Sequence, residues 1–343
     1  MVRLGLIGLG GMGNYHANVL SKMENVKIVA VCDIIEQKAR TLGEKLKVRF
    51  CTDFRDLLDD VDAVWVCTEP FNRREVVAAC AGAGKQIFTE KPICLDLHDA
   101  DEMIAAAKRA KVKYMLGYVL RFMEPYRVIH DTFASGELGE LVTCWTRRYM
   151  PCDMTRHWYG KQELSGGVTL DFGSHDCDWL RWIGGDVKTV LASARPVRPT
   201  VHADEHGMVM MLFARGGMGT LDVSWSSYLN ESSIGVVGTT GAMIVGRDGV
   251  VRKKVGDGPE QTVDVNSAMD IDPSGNLGTR DAGGNIQATG RRAETIHQHF
   301  FRCVEEDVEP LTSAAEGRKT LAVIKAAHLS ASCGKAVEVS EVG

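Results

Sequence analysis

Near its start the chain carries Val2-Arg3-Leu4-Gly5-Leu6-Ile7-Gly8-Leu9-Gly10-Gly11-Met12-Gly13, an apolar strand followed at once by the pattern G-x-G-x-x-G. A helix-like stretch to Met23 comes next, and a second apolar run, Val26 to Cys32, ends at Asp33. In this pattern the first glycine permits a tight turn, the second lets the backbone approach a pyrophosphate, and the third lets the helix pack close to the strand. The sequence therefore predicts a dinucleotide-binding βαβ unit.

The contacts expected of this unit follow from its order. Gly8, Gly10, Gly11, Met12 and Gly13 form the turn and the helix N-terminus, whose N–H groups and positive dipole attract phosphates. Asp33 falls about 20 residues past the glycines, where an acid accepts hydrogen bonds from the adenosine ribose. A carboxylate there repels a 2′-phosphate, and Ile34 and Ile35 offer no guanidinium to receive one. NAD is predicted as the cofactor, in preference to NADP.

Composition limits the class of protein. A chain of 343 residues predicts two domains, because single cores rarely grow past about 250 to 300 residues. The net charge of -5 argues against nucleic acid as a partner, and no apolar run approaches the roughly 18 residues that cross a membrane. The first strand leaves no room for a signal peptide, and the ten cysteines are scattered without C-x-x-C pairs. These features predict a cytoplasmic protein with reduced thiols.

Residues 1–120 alternate short apolar runs with amphipathic stretches, the pattern of a doubly wound parallel sheet in an α/β fold. Ligands bind such sheets outside the carboxyl ends of the strands. The predicted ends are Gly8, Asp33, Thr68, Glu90-Lys91-Pro92 and Gly117-Tyr118. We therefore expect Thr68, Glu90 and Lys91 to line the cofactor site.

Residues 121–343 predict an α+β domain with an open, mostly antiparallel sheet, because their strands alternate apolar and polar residues. Apolar side chains on the uncovered face predict a homodimer or homotetramer formed through that face. Residues 246–290 predict a hairpin and then a long mobile loop, and no role is assigned to 266–292. Two closing helices, Glu294–Glu305 and Ser313–Cys333, can pack back on the first domain.

Two groups of residues could carry out chemistry. Lys91 follows a predicted parallel strand, with the alternative that it is a solvated surface charge. Asp171 and His175 are four residues apart, so a helix places both on one face, beside Gly166-Gly167, which would let a ligand approach closely. The alternative is that Asp171 caps a helix and His175 is structural. No metal is predicted, because no third ligand stands at suitable spacing.

A polyol substrate requires directional polar groups and a flat platform for its ring. Residues 153–159 offer Arg156, His157 and Trp158, with the alternative of a surface loop anchored by a core tryptophan. The other candidates for substrate binding are Tyr118, Arg121, Arg148, Asp171 and His175.

These motifs together resemble the Gfo/Idh/MocA family (glucose–fructose oxidoreductase, inositol dehydrogenase and MocA) over nearly the whole chain. The matching segments are Gly8–Gly13, Glu90-Lys91-Pro92, Gly117–Phe122, Gly166-Gly167 through Asp171 and His175, Glu309–Thr312 and Gly317-Arg318. The resemblance implies a Rossmann domain, a second domain with an open sheet used for oligomerisation, and NAD(P)-dependent oxidation of sugar or cyclitol hydroxyls. It also implies that Lys91, Asp171 and His175 line the site where substrate meets nicotinamide. One departure is Glu69–Arg74, where the family often has Pro-Asn and a histidine.

These residues predict a mechanism. A histidine, with an unperturbed pKa of about 6.5, suits the general base that takes the hydroxyl proton, and we assign this role to His175. Lys91 would stabilise charge on the reacting oxygen, and Asp171 would hold a neighbouring hydroxyl or tune the other two. Two alternatives stay open: a non-catalytic dinucleotide-binding regulator, and a redox-assisted glycosidase or lyase on the same fold.

Overall fold

The computed structural model describes residues 1–155, 157–263, 279–280, 286–287 and 294–342. The chain divides into two compact units. The first unit comprises Met1–Tyr118 and Thr295–Arg318, and the second comprises Val119–Glu294 and Lys319–Gly343. The sequence placed this division at residue 120.

The first unit contains a parallel sheet of six strands in the order β3-β2-β1-β4-β5-β6. This is the strand order of a dinucleotide-binding fold, so the predicted doubly wound sheet is confirmed. The strands are β1 Val2–Ile7, β2 Val26–Cys32, β3 Arg49–Cys51, β4 Ala63–Val66, β5 Gln86–Thr89 and β6 Tyr114–Leu116. The helices of this unit are α1 Gly11–Leu20, α2 Glu36–Leu46, α3 Arg73–Gly82, α4 Leu97–Ala110 and, late in the chain, α9 Ile296–Glu305.

The central strands of this sheet are buried on both faces. Strand β4 has four fully buried residues, and Trp65 on it lies opposite Phe88 on β5. The two rings stack with centroids 3.6 Å apart. Helices cover a parallel sheet from both sides, which explains why these strands are continuous apolar runs without alternation.

The second unit contains a nine-stranded sheet in the order β14-β13-β12-β11-β7-β10-β9-β8-β17. Among the described strands of this sheet, β7 and β10 pair in parallel and the other neighbours pair antiparallel, which confirms the predicted α+β architecture. The strands are β7 Leu141–Tyr149, β8 Val187–Arg195, β9 His206–Phe213, β10 Met218–Ser224, β11 Glu231–Gly238, β12 Gly241–Val245, β13 Val251–Val255, β14 Gln261–Val263 and β17 Val337–Glu338, with a separate pair β15 Thr279–Arg280 and β16 Ile286–Gln287. The helices are α5 Glu124–Ala134, α6 Gln162–Ser165, α7 Gly167–Asp171, α8 Gly173–Gly184 and α10 Ala314–Cys333, which begins in the first unit.

Strand β9 shows how this sheet divides its two faces. Val209, Met211 and Phe213 are buried, whereas Met208 and Met210 are 47% and 40% exposed. Helix α8 packs against β7 and β10. The opposite face of the sheet presents a band of exposed apolar side chains on neighbouring strands: Leu191, Met208, Met210, Leu212, Met218 and Ile244.

Two buried ion pairs hold helix α8 in place. Arg148 on β7 donates from Nε to Asp176 at 2.8 Å, and Arg121 donates from Nε to Asp178 at 2.7 Å. All four side chains are at most 4% exposed. Removing one partner of such a pair typically costs about 3–5 kcal/mol, because it leaves an uncompensated buried charge. The sequence offered Arg121 and Arg148 as substrate contacts, and the structure pairs both guanidinium groups with buried core carboxylates, which favours a structural role for them.

The predicted hairpin after residue 246 is present, since β13 pairs antiparallel with both β12 and β14. The predicted long loop falls mainly on 264–293, which lie outside the described residues except for β15 and β16. None of the described helices is long and apolar enough to cross a membrane. All ten cysteines are free thiols.

Candidate cofactor and catalytic sites

Two glycines of the turn in the first unit, Gly8 and Gly13, are required by close contacts with the protein's own backbone. Gly8 has a φ of +86°, and a Cβ added there would lie 2.8 Å from the backbone of Cys67 and Thr68. A Cβ at Gly13 would lie 2.1 Å from the Gly8 carbonyl oxygen. Helix α1 can therefore approach β1 this closely only without a side chain at either position.

Gly10 and Gly11 differ, because a Cβ at either would meet no described atom within 4 Å. The protein's own packing does not require glycine at these two positions, whereas the close approach of a pyrophosphate would. Helix α1 begins at Gly11 with no side-chain cap among the described contacts and no acidic residue in its first turn. Such an N-terminus suits an anion, so the turn fits a bound dinucleotide.

Asp33 connects this turn to the end of β2. Its Oδ2 accepts the Leu9 N–H at 2.8 Å and its Oδ1 accepts the Ile35 N–H at 2.9 Å. Each carboxylate oxygen keeps a further lone pair for a ribose hydroxyl. The carboxylate thus shapes the glycine turn and also presents negative charge beside it.

The loop after β4 supplies a second polar group at the same edge. The Thr68 hydroxyl is buried and has no hydrogen-bond partner among the described residues. Because Thr68 directly follows the carboxyl end of β4, its hydroxyl is placed to bind a ligand at the edge of the sheet.

Arg73 is a positioning residue that the sequence did not reveal. Its side chain is buried, and its guanidinium donates to the carbonyl oxygens of Thr68, Glu90 and Pro92. It lies in the segment Glu69–Arg74 that departs from the family pattern. Arg73 therefore joins the loop after β4 to the turn after β5, and nothing in its local sequence distinguishes it from the neighbouring exposed Arg74.

Glu90 and Lys91 form the turn after β5. Lys91 is half-buried, and its backbone N–H donates to Glu90 Oε2 at 3.2 Å. Glu90 Oε1 lies 2.8 Å from His16 Nε2 on helix α1. Burial raises the pKa of the Glu90 carboxyl, but the hydrogen bond and charge of His16, with the charges of Lys91 and Arg73, outweigh burial and hold that pKa below its usual value. Glu90 is therefore an ionised carboxylate.

Two histidines behind Glu90 were also missed. His16 Nδ1 lies 2.8 Å from His297 Nε2 on helix α9, and both side chains are buried. The two residues are 281 positions apart in the chain, so no local motif could have joined them.

In the second unit, Asp171 ends helix α7 and His175 lies in the first turn of α8. The predicted single helix is interrupted at Phe172, but this residue keeps right-handed helical angles (φ -87°, ψ -47°). Asp171 is 9% exposed and His175 is 4% exposed. The helical spacing is thus largely retained, and both side chains belong to the interior of the unit.

The paired glycines before α7 serve a purpose other than the predicted approach of a ligand. Both have a φ of +69°. A Cβ at Gly167 would lie 1.9 Å from Asp204 Oδ1, and a Cβ at Gly166 would lie 2.3 Å from Leu170. Asp204 in turn accepts hydrogen bonds from the backbone N–H and the hydroxyl of Thr169, at 2.9 and 2.5 Å. Gly167 therefore makes room for the carboxylate that holds α7, and so Asp171, in place, and Gly166 makes room for the Leu170 side chain.

An aromatic cluster extends toward Asp171 from the predicted substrate loop. Trp158 stacks on Tyr159 at 4.1 Å, Tyr159 meets Trp225 edge-on, and Trp225 packs near Phe172, the residue after Asp171. Trp158 is half-buried, as a platform for a ring would be. Arg156 and the side chain of His157 lie outside the described part of the chain. Tyr118 belongs to the first unit and is 1% exposed.

No group of three or more His, Cys, Asp or Glu side chains within the described ranges is arranged to hold a metal ion.

Comparison with known proteins assigns both units to one family. Residues 2–118 match the model of the Gfo/Idh/MocA oxidoreductase family, NAD-binding Rossmann fold, and residues 126–244 match its C-terminal domain. The chain is 33% identical to myo-inositol 2-dehydrogenase of Thermotoga maritima, over 70% of this chain and 74% of that protein. It is 27% identical to scyllo-inositol 2-dehydrogenase (NAD(+)) of Bacillus subtilis, over 71% and 74%.

A solved structure shows the same fold. An oxidoreductase from Agrobacterium radiobacter, in complex with NAD+, L-tartaric acid and magnesium, superposes with a TM-score of 0.85 at 21% identity, covering 99% of both chains. With both domains matched and a relative this similar, the chain belongs to the Gfo/Idh/MocA family of oxidoreductases, and its first unit is an NAD-binding Rossmann domain.

Proposed function

We propose that this protein is an NAD-dependent dehydrogenase that oxidises a secondary hydroxyl of a sugar, a sugar derivative or a cyclitol of the inositol class. The observation that carries the proposal is the position of Lys91. It follows β5 at the carboxyl edge of the parallel sheet, the same edge as the open glycine turn and Asp33. The inositol dehydrogenases among its relatives support the substrate class.

Bound NAD supplies the acceptor for the hydride that leaves the substrate carbon. In our proposal Lys91 donates a hydrogen bond to the reacting oxygen and stabilises the negative charge that develops on it. The backbone of Lys91 is fixed by Glu90, and the carbonyls of Glu90 and Pro92 are fixed by Arg73. Lys91 thus extends from a rigid turn, which reduces the reorganisation needed during the reaction.

His175 is assigned the general base, and Asp171 the group that holds a neighbouring hydroxyl or tunes His175 and Lys91. We propose that these side chains and Lys91 meet on one substrate. Trp158 is proposed as the platform for the substrate ring, and Arg156, His157 and Tyr118 as further contacts. We propose no substrate contact for Arg121 and Arg148, because their guanidinium groups are paired with core carboxylates.

The first prediction concerns the activity itself. Purified protein should reduce NAD in the presence of at least one inositol, aldose, glycoside or anhydrosugar. The reduction is measured as the increase in NADH absorbance. Lys91→Ala should lower kcat by on the order of 10²-fold, as removal of an electrostatic stabiliser does elsewhere, with little change in NAD affinity. Exposed Lys111, which follows α4, provides the matched control as Lys111→Ala.

The alternative functions have distinct outcomes in this screen. Tight NAD binding without turnover of any substrate would indicate a regulator. Release of an aglycone without net NADH would indicate a redox-assisted glycosidase or lyase. Near wild-type turnover by the Lys91→Ala protein would show that this lysine is a solvated surface charge without a role in the reaction.

The second prediction concerns the base. The oxidation rate should rise with pH along a single ionisation, because only neutral imidazole can accept the proton. His175→Asn should remove this limb and slow hydride transfer while NAD binding persists. Asp171→Asn should move the apparent pKa downward, because loss of a nearby negative charge favours neutral imidazole. If His175→Asn keeps both the rate and the limb, the base lies elsewhere, and His157 is the next candidate.

The third prediction concerns cofactor choice. The ratio of kcat/KM for NAD to that for NADP should exceed one, because the Asp33 carboxylate repels a 2′-phosphate. Asp33→Asn should bring the two kcat/KM values closer together, because it removes the negative charge. It keeps a carbonyl oxygen that can accept a hydrogen bond from the backbone N–H of Leu9 or Ile35. Asp33→Ala should also bring the two values closer together, but it should weaken binding of both cofactors, since the glycine turn loses its acceptor. A wild-type protein that uses NADP equally well would contradict this assignment.

The fourth prediction concerns assembly. We propose a homodimer or homotetramer formed through the exposed apolar band of the second sheet, in which Met210 lies opposite Leu191 and Leu212 opposite Met218. Met210→Arg should shift the mass measured by light scattering toward the monomer, because it places a charge inside the interface. Val308→Arg, at an exposed apolar residue of the first unit, should leave the mass unchanged. A wild-type monomer at micromolar concentration would disprove the proposal.

A further inference from the structure

A buried pair of histidines lies behind the Glu90-Lys91-Pro92 turn and takes no part in the mechanism above. His16 is 3% exposed and His297 is 4% exposed. His16 contacts Glu90 through Nε2 and His297 through Nδ1, both at 2.8 Å. Both of its ring nitrogens are therefore engaged, one by a carboxylate and one by a second imidazole.

An aromatic enclosure fixes the geometry of the pair. The His297 ring stacks on Trp65 at 5.1 Å with an angle of 9° between the planes, and His16 packs against Trp65 and Phe88. Burial, and then the charge of His16, lowers the pKa of His297 well below its usual value. His297 is therefore a neutral imidazole, with one nitrogen that donates and one that accepts.

The contacts of His16 determine which nitrogen carries a proton toward Glu90. An ionised carboxylate can only accept, so the His16 Nε2 that faces Glu90 must carry hydrogen. If His16 is neutral, its Nδ1 accepts from His297, and if it is charged, its Nδ1 donates to His297. In both states His16 donates to Glu90, because His297 can serve either as donor or as acceptor.

Glu90 is constrained from two further directions. Its Oε2 accepts the Lys91 N–H at 3.2 Å, and a Cβ on Gly117 would lie 2.9 Å from the same oxygen. The carboxylate therefore fits between helix α1, the turn that carries Lys91 and the residue after β6. Its side chain remains 13% exposed.

The sheet order indicates which part of the cofactor lies near Glu90. Asp33 follows β2 and the glycine turn follows β1, whereas Glu90 follows β5, on the opposite side of β1 from β2. The adenosine half at β2 and the pyrophosphate at β1 leave the β4–β5 side for the nicotinamide half. Helix α1 carries both the N-terminus that faces the pyrophosphate and His16.

We propose that His16, with its donor state maintained by His297, is a positioning residue that fixes the Glu90 carboxylate beside the nicotinamide ring of the dinucleotide and so sets the Lys91 turn for hydride transfer. The inference rests on the proposed dehydrogenase function for its kinetic consequence. Its consequence for cofactor binding does not depend on the substrate.

The test compares two ligands that share the adenosine, the pyrophosphate and the second ribose: NADH and ADP-ribose, which lacks only the nicotinamide ring. Binding of each is titrated to wild-type protein and to His16→Leu, His16→Gln and His297→Leu. His16→Leu should weaken NADH binding by about tenfold, the loss expected for a hydrogen bond to a charged group, and leave ADP-ribose binding unchanged. His16→Gln keeps an N–H donor and should recover most of the NADH affinity. His297→Leu should also weaken NADH binding and leave ADP-ribose binding unchanged, but by a smaller factor than His16→Leu.

A double-mutant cycle tests whether His16 acts through Glu90. Glu90→Ala alone should reproduce the selective loss of NADH affinity, and adding His16→Leu should then have no further effect, because the shared contact is already gone. Gly117→Ala displaces Glu90 without touching either histidine and should also weaken NADH selectively. If His16→Leu fails to fold, His297→Leu takes its place in the cycle, because it removes the partner of His16 and leaves Glu90 unchanged.

The matched control is His299→Leu, a change at a second buried histidine of the same helix, α9, whose Nε2 accepts the Leu311 N–H. It should lower the melting temperature without changing the ratio of the two affinities. Equal weakening of NADH and ADP-ribose by His16→Leu, or additive effects in the cycle, would overturn the proposal. If no sugar or cyclitol is oxidised by the wild-type protein, the proposed function fails, while the two affinities still decide the role of His16.

Discussion

Helix α1 can begin where it does only because Gly13 places no side chain against the carbonyl oxygen of Gly8. A single Cβ would lie 2.1 Å from that oxygen, far inside any van der Waals contact. This close approach fixes the start of the helix, and hence the position of the N–H groups that suit a pyrophosphate. It also fixes His16, one and a half turns further along the same helix. The cofactor turn and the support of the Lys91 turn therefore depend on one backbone contact.

Around this contact the first unit uses buried charges as cross-links between loops. Asp33 joins the glycine turn to the end of β2, and Arg73 joins the loop after β4 to the turn after β5. Loops at the edge of a sheet are usually its most mobile part. Here charge-assisted hydrogen bonds to backbone groups restrain them, which suits a site whose polar groups must be preorganised.

Much of the fold could be predicted from the sequence, because its signals are local. The G-x-G-x-x-G turn, the apolar runs and the alternation along β9 each depend on residues close together in the chain. The apolar run Val26 to Cys32, for example, was recognised with the bounds that the structure gives to strand β2.

The contacts that decide the roles of individual side chains join residues far apart in the chain. The sequence alone therefore predicted these roles wrongly or did not predict them at all. Arg148 meets a carboxylate 28 residues away and Arg121 one 57 residues away, so neither sequence neighbourhood distinguishes a core ion pair from a substrate contact. Gly166-Gly167 suggested room for a ligand, yet Leu170 fills the space beside Gly166 and Asp204 fills the space beside Gly167. His16 and His297 are brought together only by the packing of α9 in the first unit.

The central proposal is that Lys91 and His175 act on a single hydroxyl of the substrate. A crystal structure of the protein with NADH and the sugar or cyclitol it turns over tests this claim most directly. We predict that the reacting oxygen lies about 3 Å from both the Lys91 Nζ and a ring nitrogen of His175. A substrate oxygen that contacts neither residue, or Lys91 alone while His175 stays enclosed in its helix packing, would contradict the account.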